Sequence, residues 1–160
     1  MGTDGEVGGV RSGTDEAQRL WDEARAIPHP YNPDWENDRE YLLKILDAAR
    51  RGHFEAMAKL GEYAFRRRRI VEAYYWTALA ELKGAEGLES RLREIKVSWM
   101  RRRCPAELDN IHAEFTDEQG AFARALLRIR CAVDAPMGRA RMRELSSLGL
   151  PEARLFLGIN

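Results

Sequence analysis

Hydrophobic residues recur with the 3.6-residue period of an α-helix along most of the chain, and no stretch alternates like a β-strand. The clearest stretch lies between Gly52 and Gly84, where the pattern predicts two short helices. The second of these, opening at Ile70 or Val71, is apolar nearly all round, as expected for a helix buried between neighbours. The pattern predicts an all-α chain of about eight helices.

Start and stop signals predict the ends of these helices. Thr14 before two acidic residues and Asn32 before Pro33 are typical helix starts, and Thr116 to Gln119 has the sequence of a capping box. Glycine after a helical run predicts a left-handed stop, since glycine alone enters positive φ without steric cost. The predicted helices cover 14–27, 33–51, 56–64, 70–82, 87–100, 116–131, 137–148 and 151–158, with a further short one over 105–112 and a turn over 134–136.

The ends of the chain differ from its body. Residues 1–13 contain five glycines and no periodic apolar pattern, so we expect a flexible leader. Residues 28–33 carry three prolines and predict an extended linker. Residues 14–160 are predicted to form a single helical repeat domain.

A repeat supports this organisation. Two segments share a glycine, an alanine, a leucine and a second glycine at identical spacing: Gly52, Ala56, Leu60 and Gly61, then Gly149, Ala153, Leu157 and Gly158. Such self-similarity is the signature of stacked helical units, each of which buries its apolar face against the next.

The repeat resembles a known family. Its small and aromatic residues fall at Ala56, Leu60, Gly61, Ala73, Trp76, Ala80 and Gly84. With these lined up, the chain resembles the Sel1-like repeat family, close relatives of tetratricopeptide repeats. The resemblance implies a short α-solenoid of antiparallel helix pairs and protein binding rather than catalysis. Residues 53–84 form the best repeat and the flanking repeats are degenerate; Phe65 to Arg69 lie where the family has a glycine-containing loop.

Charge divides the chain unevenly. The net charge is zero, but residues 1–47 hold 11 of the 26 acidic side chains and only 5 of the 26 basic ones. The body is therefore basic. Such a split can indicate contact with nucleic acid, but a near-neutral pI of about 6.9 favours simple neutralisation by the acidic first part.

The sequence offers no case for catalysis. The two cysteines form no CxxC pair, and the three histidines stand far apart without partners at metal-ligand spacing. We expect no cofactor, no metal and no enzymatic activity. No apolar run is long enough for a membrane span and no secretory leader begins the chain, so we expect a cytoplasmic protein.

Two arginine clusters are the sharpest candidates for a binding site. Arg66, Arg67, Arg68 and Arg69 occupy a predicted inter-helix turn, and Arg101 and Arg102 open a second cluster that runs to Arg103. Guanidinium groups pair bidentately with carboxylates and phosphates, although a charge run can also be an ordinary solvated turn. Tyr63 and Tyr75 are candidates for an exposed groove contact. Trp35, Trp76 and Trp99 are predicted to be core.

The sequence therefore predicts a non-enzymatic adaptor that binds an acidic protein or peptide through a groove and an arginine-rich edge, as a monomer or weak dimer. One alternative is an immunity protein that inhibits a single toxin. A second is a nucleic-acid-binding accessory protein, which would need exposed aromatics interleaved with the basic residues. Tyr74 and Tyr75 lie near the arginines, but helical spacing predicts that at least one of them is core.

Overall fold

The computed structural model describes residues 15–27, 39–103 and 116–159. Over these residues it is all-helical, as the sequence predicts, and it contains eight helices. They are α1 (15–26), α2 (Arg39–Arg50), α3 (Phe54–Arg66), α4 (Ile70–Leu82), α5 (Glu89–Arg101), α6 (Asp117–Arg130), α7 (Ala135–Ser147) and α8 (Pro151–Leu157). None of the helices in these ranges is long and apolar enough to cross a membrane.

The contacts group the chain into two compact units, Met1–Leu60 and Gly61–Asn160. The single domain expected over 14–160 stays a prediction. The predicted starts at Thr14 and Asn32, the leader, the linker, Trp35 and the short helix over 105–112 lie outside the described residues.

The first unit buries an apolar stripe from α1 and α2 together with the start of α3. Trp21 of α1 stacks on the imidazole of His53, with ring centroids 5.2 Å apart. His53 caps α3, because its Nδ1 accepts a hydrogen bond from the main-chain N–H of Ala56 at 3.2 Å. Its Nε2 lies 3.0 Å from Oε1 of Gln18. His53 thus has a structural role at the start of α3.

The second unit is organised around α4, which packs against α5, α6 and α8, while α7 packs against α6 and α8. Every residue of α4 from Ile70 to Ala80 is buried, which confirms the prediction of a helix apolar nearly all round. Trp76 and Trp99 are both buried, as predicted. Contacts between successive helices are consistent with a helical-repeat-like arrangement.

Close backbone approach explains two glycines. A Cβ on Gly61 of α3 would lie 2.2 Å from Oγ1 of Thr77 and 3.3 Å from the carbonyl oxygen of Ala73, both on α4. A Cβ on Gly138 of α7 would lie 2.8 Å from the carbonyl oxygen of Ala125 on α6. Only a residue without a side chain lets these helix pairs approach so closely.

The predicted helix ends are mostly confirmed. Gly52, Gly84, Gly149 and Gly158 all adopt positive φ after a helix, and Pro151 stands at the first position of α8. The capping box is confirmed in full: the Thr116 side chain accepts from the N–H of Gln119, and the Gln119 side chain accepts from the N–H of Thr116.

One predicted turn is wrong. The sequence places a turn at 134–136, but α7 already begins at Ala135 and includes Pro136. Proline fits the first turn of a helix, because a main-chain N–H in that turn would have no hydrogen-bond acceptor within the helix. The chain instead reverses just before α7, where Ala132 and Asp134 adopt φ of 55° and 53°.

Candidate partner-binding site

The turn between α3 and α4 carries four consecutive arginines. Because α3 ends at Arg66 and α4 begins at Ile70, Arg67 and Arg68 form the turn and Arg69 precedes the first residue of α4. The side chains of Arg66, Arg67 and Arg68 are exposed. That of Arg69 is partly buried, and its Nε has no hydrogen-bond partner within the described part of the chain. The inter-helix turn predicted from the sequence is confirmed.

Arg68 holds a conformation that usually belongs to glycine. Its φ is 61°, in the left-handed region. Its N–H donates to the carbonyl of Phe65 at 3.0 Å, and the next N–H, of Arg69, donates to the carbonyl of Ala64 at 2.9 Å. This is the Schellman pattern that closes a helix. A side chain in this position costs roughly 1 kcal/mol relative to glycine.

The second arginine cluster lies directly beside the first. It follows from the end of α5, where Arg101 is the last helical residue and Arg103 is again left-handed, with φ of 62°. Nη1 of Arg102 donates a hydrogen bond to the main-chain carbonyl of Arg68 at 3.2 Å. We call the seven residues of Arg66–Arg69 and Arg101–Arg103 the Arg rim.

An open groove of about 440 Å³ adjoins the Arg rim. Phe65 of α3 and Val97 of α5 give it apolar walls, and Arg93 and Arg101 stand two helical turns apart along α5. Ser90, Glu94 and Ser98 complete its lining. The groove therefore combines an apolar surface with guanidinium groups, a combination suited to a partner that is itself both apolar and acidic.

Neighbouring side chains hold two of the rim arginines in place. Nη2 of Arg66 lies 3.0 Å from Oε1 of Glu62, one helical turn earlier. The guanidinium carbon of Arg67 lies over the ring of Tyr63, 5.5 Å from its centroid, in cation–π geometry. Seven arginines in two short adjoining segments, with Glu62 and Glu94 beside them, make this surface rich in positive charge.

The exposure expected for Tyr63 and Tyr75 is wrong, because both side chains are buried. Tyr63 has an exposed fraction of only 6%, and Arg67 lies over its ring. Tyr75 has an exposed fraction of 2%, because α4 is enclosed on all sides and this ring points to its contacts with α6 and α8. Neither ring is available as an exposed contact in the groove.

Tyr75 instead joins three helices through its hydroxyl group. The hydroxyl donates to Oε2 of Glu152 in α8 at 2.7 Å and accepts from Nε2 of Gln119 in α6 at 2.9 Å. Burial and the Glu152 carboxylate raise the pKa of Tyr75 far above its ordinary value. The adjacent Tyr74 accepts a hydrogen bond from Nη1 of Arg130 at 3.2 Å. These interactions are structural and stabilise the second unit.

Three groove residues, Phe65, Arg93 and Val97, are not among the binding residues that the sequence predicts. The signal was present in α5, whose buried positions Leu92, Ile95 and Trp99 define one face of the helix. The opposite face then carries positions 90, 93, 94, 97, 98 and 101, which are the α5 residues that line the groove. The sequence does not indicate that the end of α3, with Phe65, lies beside this face of α5.

Within the described ranges, no group of three or more His, Cys, Asp or Glu side chains could hold a metal ion. No known protein family, curated protein or solved structure matches the chain significantly.

Proposed function

We propose that this chain is a non-enzymatic protein-interaction module, related to Sel1-like repeats, that binds an acidic segment of a partner protein. The segment lies along the Arg rim and places an apolar side chain in the groove between Phe65 and Val97. The observation that carries the proposal is the hydrogen bond from Arg102 to the carbonyl of Arg68, which joins two arginine clusters beside that groove.

The strained backbone of the Arg rim supports a functional role. Four other helices end on a left-handed glycine, whereas each arginine cluster places an arginine in that conformation, Arg68 in one and Arg103 in the other. Left-handed Ala132 after α6 shows that a non-glycine residue at such a turn does not by itself mark a site. The support for a binding role comes from arginine at both turns beside the groove. Strain that local structure does not require is often found at binding sites.

The chemistry of the surface defines the partner. Guanidinium groups form bidentate hydrogen bonds with carboxylates, and a strongly positive edge accelerates association with an acidic partner. The apolar walls at Phe65 and Val97 add a contact that a purely polar chain could not make. Single-stranded nucleic acid is less favoured, since successive bases stack on several exposed rings, whereas Tyr63 and Tyr75 are buried and Phe65 alone gives the groove an aromatic wall among the described residues.

A site-specific cross-linking experiment tests the proposal. A photoreactive benzoylphenylalanine replaces Val97 in the groove, and a matched variant carries it at Leu43 of α2, an exposed apolar residue. Each variant is illuminated in extracts of the source cells, and cross-linked peptides are sequenced by mass spectrometry. We expect the Val97 variant to capture an acidic segment that the Leu43 variant does not capture.

The result also separates the alternatives. A single stoichiometric partner that is an active toxin indicates an inhibitor, and several partners with related acidic segments indicate an adaptor. Capture of nucleic acid, or of the same proteins by both variants, would contradict the proposal.

A further inference from the structure

The groove beside the Arg rim differs in charge between its two ends. Arg101 lines it at the last residue of α5, which belongs to the Arg rim, and Glu94 lines it seven residues earlier. At 1.5 Å of rise per residue, these two positions are about 10 Å apart along the axis of α5. Val97 lies between them, so the apolar wall separates a basic end of the groove from an end that holds a carboxylate.

Helical spacing places Glu94 and Arg101 on one row of α5. Each residue is turned by about 100° from the one before, so positions seven apart differ by only about 20°. Val97 is three residues after Glu94 and four residues before Arg101, and these are the spacings of neighbours on a helix surface. A segment that contacts Val97 therefore has Glu94 on one side of it and Arg101 on the other.

The carboxylate of Glu94 is available to a bound segment. Its side chain is exposed, and it has no hydrogen bond or ion pair with any of the residues that the structure describes. Glu62, which precedes Phe65 on α3, is instead bonded to Arg66. Arg93 also lines the groove, but adjacent helical residues lie on different sides of the helix. Arg93 thus makes this end of the groove balanced in charge rather than basic.

The sequence on each side of Val97 has the same polarity. Residues 86–94 hold three acidic and two basic side chains, whereas residues 95–103 hold four basic side chains and no acidic one. The hydrogen bond from Arg102 to the carbonyl of Arg68 places the first arginine cluster at this same basic end. Positive charge is therefore concentrated at one end of the groove.

From this asymmetry we propose that the groove selects a segment that is itself asymmetric. An apolar residue of the segment contacts Phe65 and Val97, acidic residues follow on the side of the Arg rim, and a neutral or basic residue lies beside Glu94. This inference rests on the proposed function and names the kind of acidic segment that is bound. An acidic residue beside Glu94 would bring like charges together, whereas a lysine there would form an ion pair.

Three synthetic peptides test the polarity of the groove. Each has a leucine with a run of glutamates on one side and a run of glutamines on the other. They differ only in the two glutamine-side residues next to the leucine, which are glutamine, glutamate or lysine. Each peptide is made in both chain orders, labelled with fluorescein and titrated with the full chain at constant ionic strength, while fluorescence anisotropy is followed. The chain order that binds more tightly is used for the comparison.

The original protein should bind the lysine peptide about threefold more tightly than the glutamine peptide, and the glutamate peptide about threefold more weakly, because exposed charge pairs contribute modestly. In Glu94→Gln this order should be lost, since the charge of Arg93 is then unopposed at that end. The matched control Glu118→Gln removes the same charge from an exposed position of α6 that does not line the groove, and it should keep the order. Equal binding of the lysine and glutamate peptides to the original protein, an order that persists in Glu94→Gln, or an order that is lost in the control would overturn the inference.

A rim variant tests the proposed function separately. Arg67→Glu/Arg68→Glu should bind all three peptides about tenfold more weakly than the original protein, whereas Arg139→Glu/Arg143→Glu, which reverses the same charge at exposed positions of α7, should bind them within about twofold. Thermal unfolding of each variant checks that it is folded. If the original protein binds no peptide more tightly than the rim variant does, the proposed function and this inference both fail. If the rim variant weakens binding but Glu94→Gln leaves the order unchanged, only this inference fails.

Discussion

Nη1 of Arg102 donates a hydrogen bond to the main-chain carbonyl of Arg68, 34 residues earlier, at 3.2 Å. The acceptor belongs to a residue in the left-handed conformation, two positions after the last residue of α3. The turn between α3 and α4 therefore exposes its own arginine side chains and also accepts a hydrogen bond from Arg102 of the second cluster. The Arg rim is a consequence of how α3 and α5 end.

Replacing Arg68 with glycine should stabilise the protein while weakening partner binding. Glycine keeps the carbonyl that Arg102 uses and relieves the left-handed strain, so we expect the free energy of unfolding to rise by about 1 kcal/mol. Urea unfolding with an unchanged m-value is the measurement. The control Arg66→Gly, within helical α3, should instead lose about 1 kcal/mol. A loss of stability in Arg68→Gly would contradict the account of the strain.

Adding a single methyl group at Gly61 should destabilise the second unit. The new Cβ in Gly61→Ala would clash with Oγ1 of Thr77, and we expect a cost of about 1–3 kcal/mol from overpacking. The cost should be smaller in a Thr77→Ala background, where the clashing oxygen is absent. Chemical denaturation of the four proteins of this double-mutant cycle measures the coupling. An equal cost in both backgrounds would show that the side chain of Thr77 does not limit the approach of the helices.

Exchanging one amide for a carboxylate should weaken the junction of α4, α6 and α8. In Gln119→Glu the new side chain can still accept from the N–H of Thr116, so the capping box remains. It cannot donate to Tyr75, whose hydroxyl would face a second carboxylate besides Glu152. We expect a loss of about 1–2 kcal/mol at pH 7. The loss should shrink near pH 4, where a protonated carboxyl can donate again. A loss independent of pH would contradict this interpretation.

His53 should make stability depend on pH in mildly acidic solution. Burial lowers the pKa of His53 below the ordinary 6.5. The charge of Arg25 also lowers this pKa, whereas the carboxylates of Glu55 and Asp22 raise it. A histidine with a lowered folded-state pKa contributes its full stability above pH 6.5, because both folded and unfolded chains are then neutral there. Below that pH the unfolded chain binds the proton more readily and stability falls. Protonation of Nδ1 also removes the acceptor for the N–H of Ala56.

The measurement is the unfolding midpoint between pH 7.5 and about pH 5, above the range where most carboxylates titrate. The variant His53→Ser keeps an N-cap acceptor without a titrating ring. It should be less stable at neutral pH, because the stacking on Trp21 is lost, and its stability should fall less between pH 7.5 and 5. Identical pH profiles for the two proteins would exclude His53 as the source.

Local rules made much of the fold predictable from the sequence. The stops at Gly52 and Gly84 and the capping box at Thr116 depend only on residues a few positions apart. The turn before α7 was misplaced because Ala132 and Asp134 take a conformation that the sequence does not mark with glycine. Local signals are strong wherever only a few residue types can adopt the φ, or make the hydrogen bonds, that a helix end requires.

Exposure of single side chains depends on tertiary contacts and was less predictable. Tyr75 lies beside Trp76 on a helix that is apolar on every side, so no helical face could be identified as the solvent side. The groove likewise needs Phe65 and Val97 from different helices, and their juxtaposition follows from packing rather than from spacing. The arginine clusters themselves were visible, since runs of charge are a local feature.

Calorimetric titration shows whether the Arg rim binds an acidic segment. The acidic segment captured by the Val97 cross-linking variant is synthesised and titrated into the original protein, into Arg67→Glu/Arg68→Glu, and into the control Arg139→Glu/Arg143→Glu. We expect charge reversal on the Arg rim to weaken binding about tenfold or more, equivalent to about 1.4 kcal/mol, without unfolding the protein, while the control binds within about twofold. Equal affinity of the rim variant and the original protein would contradict it.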